Sequence, residues 1–223
     1  MKPLSAPPNR VEQVRDAILE EITTGRLPAG ERVIQEQIAQ ALGVSRQPVQ
    51  QALLLLRDQG VLREAGGRGL IVAPLEADQV QHMYELRAVI EGLAARRAAE
   101  VAAERAAKQG PAVIEAGRKA VASGALPRMV AADRRFHEFL YELSGNPLVA
   151  PAMSAHWTYS ERVMAEVLTR DETPRDIWDQ HAAVLDAIAA GDAGRAEALA
   201  RSHITQAATF MTARLRALAQ AAP

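Results

Sequence analysis

The chain has no cysteine, no long apolar run and almost no net charge, and each absence removes a class of protein. Without cysteine, disulfide bonds and thiolate metal sites are impossible, so any bound metal must take histidine and carboxylate ligands. This composition is compatible with a cytoplasmic protein. The longest apolar runs, such as ALLLL at 52–56, span a few residues, so we expect no membrane span and no export signal. A formal charge of −1 gives no overall attraction to nucleic acid, which leaves only a local basic surface for such binding.

The residue pattern divides the 223 residues into an arm and two domains. Residues 1–9, MKPLSAPPN, are rich in proline and lack periodicity, so we expect a flexible arm. We expect a first domain over 10–74 and a second, wholly helical domain over 75–223, because everything downstream of Leu75 has helical periodicity. The fold class predicted is therefore mainly α, with a winged helix-turn-helix followed by an all-α bundle.

The first domain shows the signals of a winged helix-turn-helix. Apolar residues at helical spacing predict a helix from Arg10 with a C-cap near Gly25. A short second helix, QEQIAQAL, ends at Gly43, and a third begins at the N-cap Ser45 and closes at Gly60. Two helices joined by so short a turn are typical of a helix-turn-helix. The segment VLREAGGRGLIVAPL then has two β-prone runs around a glycine-rich tip, which predicts a hairpin wing.

The start of the third helix and the wing carry residues suited to DNA. Arg46 can bond two acceptors of guanine, and Gln47 or Gln50 can bond adenine in bidentate fashion. An arginine between two wing glycines can enter the minor groove or meet a phosphate. The alternative is that these are solvated groups on a small helical domain, since helix-turn-helix shapes also serve protein contacts. The candidates for DNA contact are Arg32, Ser45, Arg46, Gln47, Gln50 and Arg68.

The second domain is predicted to be a helical bundle. The helices are expected at about 78–107, 111–122, 126–144, 147–168, 174–190 and 193–218, with Gly110-Pro111 among the expected breaks. Short connections imply that neighbouring helices pack antiparallel.

Histidines in this bundle fall on apolar stripes. Asp133 and His137 stand four residues apart beside Phe136, and His181 and His203 occupy apolar faces of two other helices. Each histidine alone is more often a satisfied core residue, but unpaired buried polar groups cost about 1–3 kcal/mol each, and one divalent metal would satisfy several together. Three imidazoles and a carboxylate suit zinc first, with nickel or iron as alternatives, rather than calcium or magnesium.

Arg87 is a further candidate, for binding a ligand. An arginine inside a helical bundle can hold a carboxylate with two hydrogen bonds. The alternatives are that it reaches the surface or pairs with Glu91. It lies at the edge of the stripe of Met83, Leu86, Ile90 and Leu93.

The motifs together resemble a known family. ITTGRLPAGERV, IAQALGVSRQPVQQALLLLRDQGVL and GRGLIV resemble the winged-helix domain of GntR-family transcription regulators. ELRAVIEGLAARRAA, DRRFHEFLYELSGNPLV and QHAAVLDAIAAGDAGRAEALARSHI look like the effector-binding domain of FadR-like members, the FCD type, over 78 to about 210. Gln50 stands where the family usually has arginine after "PV", and Ile34 at the usual polar start of the second helix, so operator sequence does not carry over. The resemblance implies that Asp133, His137, His181 and His203 hold a metal, with Arg87 at the effector.

These observations predict a ligand-responsive DNA-binding regulator. The expected partners are double-stranded operator DNA, a small carboxylate effector and a second copy of the chain, and repression is the family's commoner output. An alternative is a metal-dependent enzyme that carries a DNA-binding module, although no second carboxylate stands where a general base is needed. A purely structural metal is a third possibility.

Overall fold

A computed structural model describes residues 10–67, 69–168 and 177–221. The chain forms two compact units, the first ending at Leu75 and the second beginning at Glu76. The predicted arm, the wing residue Arg68 and the expected start of a helix at 174 lie outside the described residues. No helix in the described ranges is both long enough and apolar enough to cross a membrane.

The first unit is the predicted winged helix-turn-helix. Its three strands form one antiparallel sheet in the order β1-β3-β2, with Glu64 opposite Leu70 in the hairpin and Val33 opposite Leu70 on the other side. Its core is apolar and includes Val14, Ile18 and Leu56. The elements are α1 (Arg10–Thr23), β1 (Arg32–Val33), α2 (Gln35–Leu42), α3 (Arg46–Asp58), β2 (Leu62–Glu64) and β3 (Leu70–Val72).

The turn between α2 and α3 places the start of α3. Gly43 has φ 62°, a left-handed conformation that residues with a Cβ rarely adopt, and its N–H donates to the carbonyl oxygens of Ala39 and Gln40. Ser45 then takes an extended conformation and begins α3 as its N-cap. The side chain of Gln35 donates to the carbonyl oxygen of Arg46 at 2.8 Å, which fixes the first turn of α3 against α2.

The second unit is a bundle in which α4 and α9 lie along each other. Gly92 permits their close approach, because a Cβ there would lie 2.7 Å from Cγ of Arg201. Helix α6 packs on α4, α5 and α7, and α8 packs on α5 and α9. The helices of the described part are α4 (Ala77–Val101), α5 (Ala103–Ala122), α6 (Leu126–Leu143), α7 (Val149–Leu168), α8 (Ile177–Ala189) and α9 (Ala193–Ala221).

The predicted break at Gly110-Pro111 is wrong. Helix α5 runs through Pro111, and the chain breaks instead at Ala102, where φ is −141° and ψ is 23°. Proline removes one backbone hydrogen bond. Helix α5 is nevertheless continuous, and Gly110 lies so close to α8 that an added Cβ would be 3.3 Å from Cδ1 of Leu185.

The apolar stripe predicted for α4 is wrong at two of its four positions, although Met83 is buried as expected. Leu86 and Leu93 are 45% and 40% exposed, whereas Arg87 and Glu91 are 3% and 1% exposed. The buried face carries small residues, such as Ala94, that let α9 approach, and the two charged residues satisfy each other inside the bundle. The sequence pattern therefore placed the buried face one residue, or about 100°, away from its true position around the helix.

The sequence pattern did not predict the strand β1. Arg32 and Val33 pair with Ile71 and Leu70 of β3. A strand of two residues is too short to show a periodicity of two, so only its neighbour in space defines it.

Candidate functional site

Four polar side chains from three helices meet inside the second unit. Asp133 and His137 come from α6, His181 from α8 and His203 from α9. The three histidines are each 5% exposed or less. Nε2 of His181 lies 3.1 Å from Nε2 of His203 and 3.6 Å from Oδ1 of Asp133, and Nε2 of His137 lies 3.8 Å from Oδ2 of Asp133. Asp133 and His137, the i,i+4 pair predicted on α6, therefore lie in one cluster with the other two histidines.

These separations fit a metal centre. Ligand atoms about 2.0–2.2 Å from one divalent ion lie roughly 3 to 3.6 Å from one another in tetrahedral or octahedral arrangements. The three histidines offer ligand atoms that all lie within 4.8 Å of one another, so small side-chain movements would bring them to the spacing that one ion requires. Imidazole nitrogen and carboxylate oxygen suit zinc, nickel or iron.

Two of the three imidazoles have polar neighbours at Nδ1. Nδ1 of His137 lies 2.5 Å from Oε2 of Glu91, and Nδ1 of His203 lies 2.9 Å from Oε1 of Gln180. Because the amide oxygen of Gln180 accepts the Nδ1 proton, the His203 ring presents the lone pair of Nε2 to the cluster, and the carboxylate close to Nδ1 of His137 favours the same tautomer there. Such partners fix the tautomer and the orientation of a metal-binding histidine.

His181 is positioned by ring packing instead. Phe136 stacks on it with centroids 3.8 Å apart, and Trp178 meets it edge-on at 4.7 Å. Among the described residues, Nδ1 of His181 has no hydrogen-bond partner. Its orientation therefore depends on the aromatic rings that surround it.

Burial keeps two imidazoles in the neutral form that binds metals. Burial, together with the neighbouring His137, lowers the pKa of His203 to about 3. Burial and the neighbouring His203 lower the pKa of His181 well below its ordinary value. Neutral rings keep a nitrogen lone pair at neutral pH, so no proton has to leave these two residues before a metal binds.

Arg87 joins the cluster through Glu91. Nε of Arg87 donates to Oε1 of Glu91 at 3.0 Å, and the hydroxyl of Tyr141 donates to the same oxygen at 3.0 Å. Burial raises the pKa of Glu91, but the neighbouring His137 and Arg87 outweigh burial and hold it well below its ordinary value. Glu91 is therefore a buried carboxylate that connects the predicted effector residue to the predicted metal ligand His137.

Only one half of this connection was indicated by the sequence. Pairing of Arg87 with Glu91 was one of the alternatives, and the structure shows this pair at the spacing of four residues that indicated it. The contact of Glu91 with His137 was not predicted, because it joins two helices. The contact between Gln180 and His203 joins two helices and has no signal in the sequence.

A cavity of about 220 Å³ opens on this cluster. Arg87, Asp133, His137 and His203 line it, together with apolar side chains from α5 to α9. The predicted metal ligands and the predicted effector residue therefore face one space. A molecule bound there would be able to contact both.

The predicted DNA-binding residues at the start of α3 lie on the surface. Arg46, Gln47 and Gln50 are exposed, while Val49 on the opposite face is fully buried. Nη2 of Arg46 lies 2.5 Å from Oε1 of Glu36 on α2, an exposed ion pair that contributes little to stability.

Two further predicted residues flank this surface. Ser45 is exposed at the N-cap of α3. Arg32 is exposed on β1, with Nη2 3.6 Å from the position that a Cβ on Gly69 would take, so its guanidinium lies beside the base of the wing.

Comparisons with known proteins cover both units. Residues 10–72 match the family described as bacterial regulatory proteins, gntR family, and residues 82–206 match the FCD domain. A relative from Paenarthrobacter nicotinovorans, named as a D-xylose utilization operon transcriptional repressor, is 30% identical over 192 residues, covering 86% of this chain and 84% of its own length. The transcriptional repressor RspR of Escherichia coli K12 is 23% identical over 195 residues, covering 87% of this chain and 86% of its own.

A solved structure shares the fold. A crystal structure from Rhodococcus sp. RHA1, described as a GntR transcriptional regulator, aligns with a TM-score of 0.74 at 21% identity. The alignment covers 92% of this chain and 98% of that one.

Proposed function

This chain belongs to the GntR family of bacterial regulatory proteins, with an FCD domain in its second unit, and from that premise we propose that it is a metal-containing repressor released by a small organic acid. Its relatives are transcription regulators rather than enzymes, so binding DNA is its general function. The proposal adds the metal, the effector, the dimer and the sign of regulation.

The convergence of Asp133, His137, His181 and His203 carries the metal proposal. Three helices place these side chains together, and Glu91 and Gln180 support two of the rings. We propose zinc as the resident ion, with nickel or iron as the alternatives. A bound divalent ion would supply a Lewis-acidic position for a carboxylate oxygen of the effector.

Arg87 supports the choice of an organic acid as effector. It lines the cavity beside the cluster, and a guanidinium is the side chain best suited to bind a carboxylate. A ligand shifts a regulator only by binding one arrangement more tightly than another. The acid must therefore prefer the form that does not bind the operator.

The first unit supports contact with operator DNA through α3. In our proposal Arg46, Gln47 and Gln50 face base edges, while Ser45 and Arg32 meet the phosphate backbone. Arg46 must leave its exposed pair with Glu36 to do so, at a cost of about 1 kcal/mol or less. One relative is named as a repressor of an operon, which favours repression as the output.

A second copy of the chain completes the proposal. Regulators with helix-turn-helix domains bind two half-sites as symmetric dimers. Helix α4 exposes three apolar side chains at spacings of three and four residues, namely Leu86, Val89 and Leu93, which are 45%, 52% and 40% exposed. An isologous contact through this surface, which we term the α4 patch, would bury them.

The test uses His181→Ala and His203→Ala with His82→Ala as the matched control, because His82 is exposed and lies outside the cluster. We expect the two cluster variants to lose bound metal by elemental analysis and to lose release from DNA by organic acids. Basal operator binding should stay within about twofold of the parent protein, and the control should resemble the parent in every assay. Equal loss of DNA binding in folded cluster variants would contradict the proposal, since the sensor and the DNA-binding unit would then not be separable.

A further inference from the structure

The side chains that line the cavity indicate the chemistry of the rest of the effector, in addition to its carboxylate. We infer that the acid is a small monocarboxylate with an apolar body, rather than a polyhydroxy acid or a dicarboxylate. This inference rests on the proposed function, because it takes the cavity beside the metal cluster to be the effector site.

The described lining of the cavity is mostly apolar. Four successive helices contribute large apolar side chains, which are Met129 from α6, Met164 from α7, Trp178 from α8 and Phe210 from α9. These surfaces gain free energy when an apolar group replaces water against them. A ligand body rich in hydroxyl groups would gain nothing there.

Two amide side chains of this lining, those of Gln180 and Gln206, already have partners. Oε1 of Gln180 accepts from His203, and Nε2 of Gln180 donates to Oε1 of Gln206 at 3.3 Å. Hydroxyl groups of a ligand would have to compete for these atoms or remain without partners. Burying an unpaired hydroxyl is unfavourable, so each such group should weaken binding.

The balance of charge favours one carboxylate. Arg87 is positive, Glu91 and Asp133 are the acidic groups beside it, and imidazoles that bind metal are neutral. With both carboxylates ionised this set carries a net charge of −1, and a divalent ion changes it to +1. One carboxylate neutralises that charge. A second would stand against apolar walls, where an unpaired charge is costly.

The size of the cavity suits a small ligand body. Its described part has a volume of about 220 Å³, which is below the range of sites that hold drug-sized ligands. Small acids such as phenylacetate or cyclohexanecarboxylate are therefore suitable probes.

The experiment measures binding to the zinc-loaded full chain by titration calorimetry. Phenylacetate, cyclohexanecarboxylate and hexanoate form the apolar group of probes, and D-xylonate and malate form the polar group. Phenylacetamide has the body of phenylacetate without its charge. We expect at least one apolar acid to bind tenfold or more tightly than either polar acid, and phenylacetamide to bind at least tenfold more weakly than phenylacetate.

Two variants locate the binding. Ala207 lines the cavity, so Ala207→Leu should fill part of it and weaken the best apolar acid at least tenfold without loss of zinc. The exposed Ala217 on the same helix provides the matched control Ala217→Leu, which should bind like the parent. Met164→Ala enlarges the cavity and should improve the affinity of 4-phenylbutyrate relative to phenylacetate, which tests the site independently if Ala207→Leu does not fold.

The outcomes separate this inference from the proposed function. Binding of D-xylonate or malate as tight as that of every apolar acid would overturn the inference while leaving an acid sensor intact. Binding of no acid from either group would overturn both. Tight binding of an apolar acid that neither lining variant changes would place the acid elsewhere and overturn the inference too.

Discussion

Replacing Gly117 with alanine should disturb the proposed metal site from a helix that contributes none of its four side chains. Gly117 is buried in α5, and an added Cβ would lie 2.0 Å from Cη2 and Cζ2 of Trp178 and 2.1 Å from Cζ3. Carbon atoms are normally about 3.5 Å apart or more, so the indole or the helix must move by roughly 1.5 Å. The indole meets His181 edge-on at 4.7 Å, and this ring depends on its aromatic neighbours for its orientation. A displaced indole therefore displaces a proposed metal ligand.

The size of the effect follows from two opposing contributions. Alanine in place of a helical glycine stabilises a helix by about 0.5–1 kcal/mol. Overpacking a core costs about 1–3 kcal/mol, and a stiff indole at 2.0 Å places this case at the upper end. We expect a net loss of about 2–2.5 kcal/mol in the free energy of unfolding. For a protein of this length that corresponds to a fall in Tm of about 4–10 °C.

The assay uses the protein's own tryptophans. The chain has two, Trp157 and Trp178, and both lie in the second unit, so their fluorescence reports the unfolding of that unit alone. Gly194→Ala is the matched control, because Gly194 is an exposed glycine in the first turn of α9 whose added Cβ would come no closer than 4.0 Å to its neighbour Asp192. We expect the control to keep or raise Tm and to bind zinc like the parent.

Zinc affinity gives the second measurement, by competition with a chromophoric chelator. Gly117→Ala should weaken zinc binding about tenfold or more, in the range found when the support of a metal ligand is removed. A variant that unfolds at or above the parent Tm and keeps full zinc affinity would refute the argument that Trp178 couples α5 to His181.

Two other predictions concern Glu91 and the α4 patch. Glu91→Gln should lower zinc affinity about 10–100-fold in the same competition assay, because it removes the charge that supports His137. The control Glu85→Gln changes an exposed residue of the same helix and should leave zinc affinity unchanged. Equal losses of affinity in both variants would contradict the role of Glu91. Val89→Glu should weaken self-association about 100-fold in sedimentation experiments, since an unpaired buried carboxylate costs about 3 kcal/mol or more. The control is Val101→Glu, because Val101 is also exposed but lies about 120° around the helix from Val89. A dimer that Val89→Glu leaves unchanged would exclude the α4 patch as the interface.

Much of the first unit was predictable because local residues define it. Gly43 and Ser45 mark the end of α2 and the start of α3, and the structure places both boundaries there. Caps and left-handed turns act within a few residues, so a sequence pattern is enough to find them. The strand β1 was missed because its pairing with β3 is a contact between distant segments.

The bundle shows the limit of the same reasoning. Pro111 is a strong local signal for a break, yet α5 continues through it in a segment packed on α8, and Ala102 breaks the helix without any turn residue. The meeting of Asp133 with the three histidines was predictable, as a set of inward-facing residues and by family resemblance. The support from Glu91 was not, because the burial of a charged pair on α4 depends on partners from α6 and α7.

If the chain senses an acid through Arg87 as proposed, the bridging position of Glu91 restricts how its ligand specificity can change. Only one carboxylate separates Arg87 from His137, so substitutions at these two positions share a neighbour and their effects on stability should not add. A lineage that replaces Arg87 to recognise an uncharged molecule leaves Glu91 with an unbalanced negative charge, which shifts the metal site as well. New specificity would then require paired substitutions, and descendants that bind neutral ligands should differ at both positions 87 and 91.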